Sequence, residues 1–168
     1  MYTYYKYYRK RITVINIQEI TTLKQIKKFL DKGLDINTTD KYGSTLLHYA
    51  CQNSNLKLIE YLLKNGAHIE SKNRYFTHYP IFEAITSTNT SNPIEMIKLL
   101  ISYNVTIDKT DAFGNTLLHY AVELKNIPLI KLLKKHGLSS HLTLREDQDS
   151  PLDYAKYQKN REIIDMLL

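Results

Sequence analysis

Thr45-Leu46-Leu47-His48-Tyr49-Ala50 returns letter for letter as Thr116-Leu117-Leu118-His119-Tyr120-Ala121. A repeat of this kind constrains a fold more than any composition does, because each copy must take up the same local structure and find a neighbour to pack on. Each hexamer follows an Asp-x-aromatic-Gly-x segment, Asp40 to Ser44 and Asp111 to Asn115, and each has a glycine 16 residues after its alanine, Gly66 and Gly137. The copies lie 71 residues apart, two periods of 33 plus five extra residues. A weaker middle copy, Tyr79-Pro80-Ile81-Phe82-Glu83-Ala84, keeps the register, with Asn104 in the glycine's place. Ser150-Pro151-Leu152-Asp153-Tyr154-Ala155 opens a fourth copy, and Leu23 to Asn37 matches the second half of a unit ahead of the first complete one.

The physics of one unit follows from its residues. Asp40 to Gly43 is turn chemistry, with the glycine free to take a positive φ. The Thr45 side chain can cap the helix that follows. Leu47, Ala50 and Cys51 then share a helical face, and the small Ala50 admits a close neighbour. A second helix is expected from about Leu56 to Leu63, with Ile59, Leu62 and Leu63 as its apolar stripe and Lys57, Glu60 and Lys64 facing water. Asn65-Gly66 ends it with a left-handed cap. Neither helix can bury its apolar face alone, so stacking between units must supply the core.

These residues resemble the ankyrin-repeat family, whose 33-residue unit carries Thr-Pro-Leu-His-x-Ala. The resemblance covers roughly residues 20–168. Leu46 and Leu117 depart from the family's proline, which Pro80 and Pro151 keep. The expected fold is an all-α repeat solenoid of about five stacked repeats, each a β-hairpin loop plus an antiparallel helix pair. A basic, tyrosine-rich segment at 1–11 precedes a single domain at 12–168. Its units are about 12–39, 40–73, 74–110, 111–144 and 145–168, and the terminal ones are degenerate. Unit 1 has a clear helix from Leu23 to Leu30, and its first helix would have to come from Ile12 to Glu19, where β-branched residues weaken helix formation. Unit 3 carries four extra residues in a polar loop, Ser87 to Pro93, that ends on a helix-starting proline. Unit 5 has Arg161 where inner units place Leu56, Ile94 or Ile127, the polar face that a terminal repeat needs.

Composition agrees. Five Gly and four Pro in 168 residues are too few for a β-sandwich. One cysteine excludes an internal disulfide and any cysteine-rich zinc site. No apolar run approaches the ~18 residues of a spanning helix, and the stretch after Arg11 turns polar too early for a signal peptide. The expectation is a chain beginning at Met1, resident in a reducing compartment, cytoplasmic, or in the host cytoplasm or nucleus for a viral or bacterial effector.

Chemistry-bearing motifs are scarce. His48 and His119 recur because the unit recurs, and the resemblance implies that this side chain ties hairpin to helix. The remaining histidines form no i, i+4 pair with one another or with Cys51, and no zinc-ligand spacing exists. Cys51, beside the core position Ala50, reads as a buried thiol. No phosphate loop or nucleophile elbow is present. The expectation is a non-enzymatic protein without cofactor or metal.

The resemblance implies a binding surface on the concave side, built from hairpin tips and first helices. In this register the tips offer Tyr42 and Ser44, Phe76 and His78, Phe113 and Asn115, then Asp147 and Asp149. The helices offer Gln52 and Asn53, Glu123 and Leu124, then Tyr157 and Gln158. Tyr42, Phe76 and Phe113 are the sharpest signal: an aromatic is not needed there for folding, and aromatics are enriched in binding hot spots. Tyr49, Tyr120 and Tyr154 read as half-buried packing residues. The expected partner is another protein, bound by a monomer. Richness in Ile, Lys, Asn and Tyr and drift from the repeat consensus resemble the small ankyrin proteins of large DNA viruses or intracellular bacteria. Such proteins sequester host factors or serve as ubiquitin-ligase adaptors; an end at Leu168, inside a repeat, disfavours the adaptor. The alternative is a nucleic-acid-associated protein using Met1 to Arg11, where five of 14 tyrosines interleave with four positive charges. Four charges are a weak electrostatic footprint, which favours a tail covering the end of unit 1.

Overall fold

A computed structural model describes residues 17–74, 78–87, 93–143 and 148–168. Among them a 3-10 turn, Ile17–Glu19, is followed by nine α-helices: α1 Leu23–Leu30, α2 Leu46–Gln52, α3 Leu56–Lys64, α4 Pro80–Thr86, α5 Pro93–Ser102, α6 Leu117–Glu123, α7 Ile127–Lys135, α8 Pro151–Tyr157 and α9 Arg161–Leu167. The first helices α2, α4, α6 and α8 stack in one layer, and α1, α3, α5 and α7 in the other, as the repeat register requires. Helices this short are unstable in isolation, so the core lies between the layers and between successive units. The stripe expected on α2 is there: Leu47, Ala50 and Cys51 are buried. On α3 the buried stripe is Leu58, Ile59 and Leu62, while Leu63 is half-buried at its edge.

Capping is repetitive and accounts for where helices begin. The Thr22 side chain accepts from the Gln25 amide, and the Gln25 side chain returns a bond to the Thr22 amide, so two free donors of α1 are satisfied together. Asn55, Asn126 and Asn160 each cap a second helix by accepting from the amide three residues on. At the ends, Gly66 and Gly137 take φ of 88° and 87°, and Asn104 takes 61° in the same role. Asparagine tolerates that left-handed conformation better than other side-chain-bearing residues, which explains the substitution.

Unit 1 matches expectation in α1. Of its expected first helix, residues 12–16 lie outside the described residues, and Ile17–Glu19 form a 3-10 turn, with Ile17 and Ile20 buried. The expected hairpins are minimal: Thr39 bridges Thr45 and Thr110 bridges Thr116, each a single antiparallel β-bridge, and no longer strand forms among the described residues. At the other end Arg161 is exposed and pairs with Asp165 at 3.2 Å. Two further substitutions make the outer face of unit 5 polar. Lys156 is exposed where Cys51 and Val122 are fully buried, and Asp153 stands where His48 and His119 reach into the next unit. These two residues pair at 3.1 Å.

Candidate partner-binding surface

The tips of units 2 and 4 are built alike. One carboxylate oxygen of Asp40 accepts from the amides of Tyr42 and Ser44, both at 2.9 Å. The other accepts the Tyr49 hydroxyl at 2.6 Å. Asp111 repeats this with the amides of Phe113 and Asn115 at 2.8 Å and the Tyr120 hydroxyl at 2.6 Å. The aspartate thus fastens the tip to the first helix of its own unit. Burial alone would raise the Asp40 pKa, but bonds from the Tyr49 hydroxyl and the Ser44 and Tyr42 amides hold it below the usual carboxylate value. Burial and the same carboxylate push the Tyr49 hydroxyl up to about 12. The half-buried packing role read for Tyr49 and Tyr120 is therefore joined by a polar one. In the sequence Arg145 stands at the register of that aspartate in the unit of Tyr154, whose ring packs edge-on against His119.

The two histidines work between units. The Thr45 amide donates to His48 Nδ1 at 3.1 Å, so Nε2 carries the proton and donates to the His78 carbonyl of unit 3 at 3.2 Å. His119 does the same, accepting from the Thr116 amide at 2.9 Å and donating to the Asp149 carbonyl of unit 5 at 3.0 Å. Burial lowers both imidazole pKa values and favours this neutral form. Burial likewise drives the Cys51 thiol pKa upward, so it carries no thiolate at neutral pH. Among the described residues no three His, Cys, Asp or Glu side chains converge as metal ligands, and no helix is long and apolar enough to cross a membrane.

With the backbone tied down, the tip aromatics are left outside. Phe113 is 66% exposed and Tyr42 is 37% exposed. The carbonyls of these two residues are occupied: Arg74 donates its amide to that of Tyr42 at 2.7 Å, and the Gln148 side chain donates to that of Phe113 at 2.8 Å. Lys41, which the motif did not single out, lies over the Tyr42 ring at 4.7 Å. Gly114 takes φ of 86°, a left-handed conformation that favours glycine at this tip.

The remaining expected site residues divide. Gln52, Asn53, Glu123, Leu124 and Tyr157 sit exposed at the ends of the first helices, with Leu124 at 57% and Tyr157 at 73%. Asp149 is exposed, and its carbonyl takes the His119 bond. Ser44 is buried, with its hydroxyl receiving the Asn73 amide group at 3.5 Å. The His78 ring stacks on Phe82 and its amide donates to Asn73, while the Asn115 side chain turns back to Asp111. The structure thus places Ser44, His78 and Asn115 inside the tip architecture, turned onto Asn73, Phe82 and Asp111 respectively. Phe76, Asp147 and the segment 1–11 lie outside the described residues.

Comparison with known proteins agrees with this geometry. A family model for ankyrin repeats (3 copies) matches residues 81–168, and a second, for ankyrin repeats (many copies), matches 23–63. The chain is 30% identical to an ankyrin repeat protein of fowlpox virus over 90% of its length, covering 25% of that protein. It is 33% identical to an ankyrin repeat protein of Acanthamoeba polyphaga mimivirus over 89% of its length, covering 19% of that protein. It is also 33% identical to an interferon antagonist of vaccinia virus over 67% of its length, covering 37% of that protein. The chain therefore spans about a third or less of each of these relatives. With repeat register, histidine ties and family models in agreement, this chain belongs to the ankyrin repeat family.

Proposed function

We propose that the chain is a non-enzymatic protein-binding module whose partner seats on the aromatic tips of units 2 and 4 and on the exposed ends of the first helices. The observation that carries this reading is the combination at Phe113: a ring two-thirds exposed on a tip whose amides and carbonyl are already bonded. A rigid tip loses little conformational freedom on binding, so the contact energy of the ring is retained. Tyr42, Leu124 and Tyr157 extend the same surface with aromatic and apolar area of the kind found at hot spots. The poxvirus relatives, one of them named as an interferon antagonist, support a host protein as the partner and sequestration inside the host cell as the mode of action.

The test is affinity purification from host cells with wild type, Tyr42→Ala/Phe113→Ala and Leu124→Ala/Tyr157→Ala side by side. The tip variant is expected to keep its melting temperature and to recover its specific partner at least ten-fold less well, an effect of about 1.4 kcal/mol or more. Recovery of the same proteins in the same amounts by all three would overturn the assignment.

A further inference from the structure

The second-helix layer carries a feature that the tips do not explain. Between α5 and α7 runs an open groove of about 550 Å³, lined by Ile94, Glu95, Lys98, Pro128, Lys131, Leu132 and Lys135. Its floor is apolar, with Ile94 and Leu132 half-buried and Pro128 exposed. Its walls carry three lysines, Lys98, Lys131 and Lys135, and one acid, Glu95. On three helices a charge is balanced within the helix: Lys64 pairs with Glu60 at 2.6 Å on α3, Lys98 with Glu95 at 3.2 Å on α5, and Arg161 with Asp165 on α9, whereas α1 holds three lysines and no acid. Helix α7, Ile-Pro-Leu-Ile-Lys-Leu-Leu-Lys-Lys, contains no acid at all. Lys131 and Lys135, one turn apart and exposed, meet no carboxylate among the described residues.

We propose that this groove docks an acidic, amphipathic peptide segment of a partner protein, with carboxylates on Lys131 and Lys135 and an apolar side chain on Ile94, Pro128 and Leu132. Two lysines at i, i+4 spacing present their charges along one helix face, which matches carboxylates spaced one turn apart on a helical ligand. The apolar floor selects peptide over nucleic acid, since the groove offers lysines but neither an arginine fork nor an aromatic platform for a base. This site lies in the second-helix layer, whereas the tips and the first helices carry the surface proposed above, so each can fail without the other.

A fluorescein-labelled peptide combining Glu and Leu at helical spacing is the probe, with its Gln-for-Glu counterpart and a short single-stranded oligodeoxythymidine as controls. Titration is followed by anisotropy and by amide chemical shifts. The Glu peptide is expected to shift amides within 94–98 and 129–135, to bind at least ten-fold more weakly to Lys131→Glu/Lys135→Glu, and to bind equally to wild type, Lys57→Glu/Lys64→Glu and Tyr42→Ala/Phe113→Ala. Both lysine pairs are on helix surfaces, and circular dichroism melts check that each variant stays folded. Equal binding to the Lys131/Lys135 variant, shifts spread over the whole layer, or tighter binding of the oligonucleotide than of the Glu peptide would each overturn the proposal.

Discussion

Units 2 and 4 clamp their tips with an aspartate of their own, and units 3 and 5 each receive a histidine from the preceding unit. In the first pair an aspartate gathers the tip amides and a tyrosine of the same unit. In the second pair no aspartate stands at that register, and the carbonyls of His78 and Asp149 are caught instead by the histidine of the preceding unit. Unit 3 has Phe82 in the histidine's place and so offers no such bond to unit 4; its ring packs edge-on against Tyr120. At this junction α4 packs on α6 less extensively than α2 on α4 or α6 on α8. Histidine ties thus join unit 2 to unit 3 and unit 4 to unit 5, whereas an aromatic contact takes that position between units 3 and 4. Local clamps make a tip rigid, whereas inter-unit ties make neighbours cooperative.

The largest effect expected from this arrangement is at a histidine. His119→Ala removes a buried ring and strands the Thr116 amide and the Asp149 carbonyl, and should cost about 3 kcal/mol. Tyr120→Phe removes one phenol–carboxylate bond at a half-buried site and should cost about 1–2 kcal/mol. Urea unfolding followed by circular dichroism measures both, and equal losses would erase the distinction between inter-unit and local ties.

Acid sharpens the same contrast. Both histidines are held below their ordinary pKa of 6.5 by burial, so as pH falls the unfolded chain binds protons before the folded one does. Stability from this source is complete above pH 6.5 and declines as pH falls toward the folded pKa values. Unfolding midpoints at pH 7 and pH 5 should therefore separate for wild type and converge in a His48→Gln/His119→Gln variant. An equal acid loss in that variant would assign the effect to other groups.

The smallest effect concerns the turns between helices. Ser54, Lys125 and Lys159 take φ of 53°, 52° and 53° in units 2, 4 and 5. A left-handed residue with a Cβ costs roughly 1–2 kcal/mol, and glycine's extra freedom when unfolded costs roughly 0.5–1 in return. Each single change to glycine should raise stability by about 0.5 kcal/mol, read as a small rise in melting temperature. A fall would show that these side chains hold their turns by other contacts.

Much of the fold was legible because the information is local. The bounds of α1, the cap at Thr45, Asn104 in a glycine's role and the proline opening α5 all follow from residues within a few positions of one another. The aspartate–tyrosine clamp was legible too, in a nine-residue spacing that occurs twice, but packing alone was read from those tyrosines. Ser44 could not be sorted from Tyr42 and Phe113, because what holds it is distant in sequence: Asn73 reaches back to it from 29 positions away.

The sequence by itself determined the unit, its period, its helices and the aromatic residues at two tips, since a repeated hexamer and its caps act over a few bonds. Only the tertiary structure decided which tip residues face solvent, which units a histidine ties together, and that Lys131 and Lys135 of α7 line a groove with Ile94. Each of these depends on how one unit sits on the next, and stacking brings together groups roughly thirty residues apart that no local pattern connects.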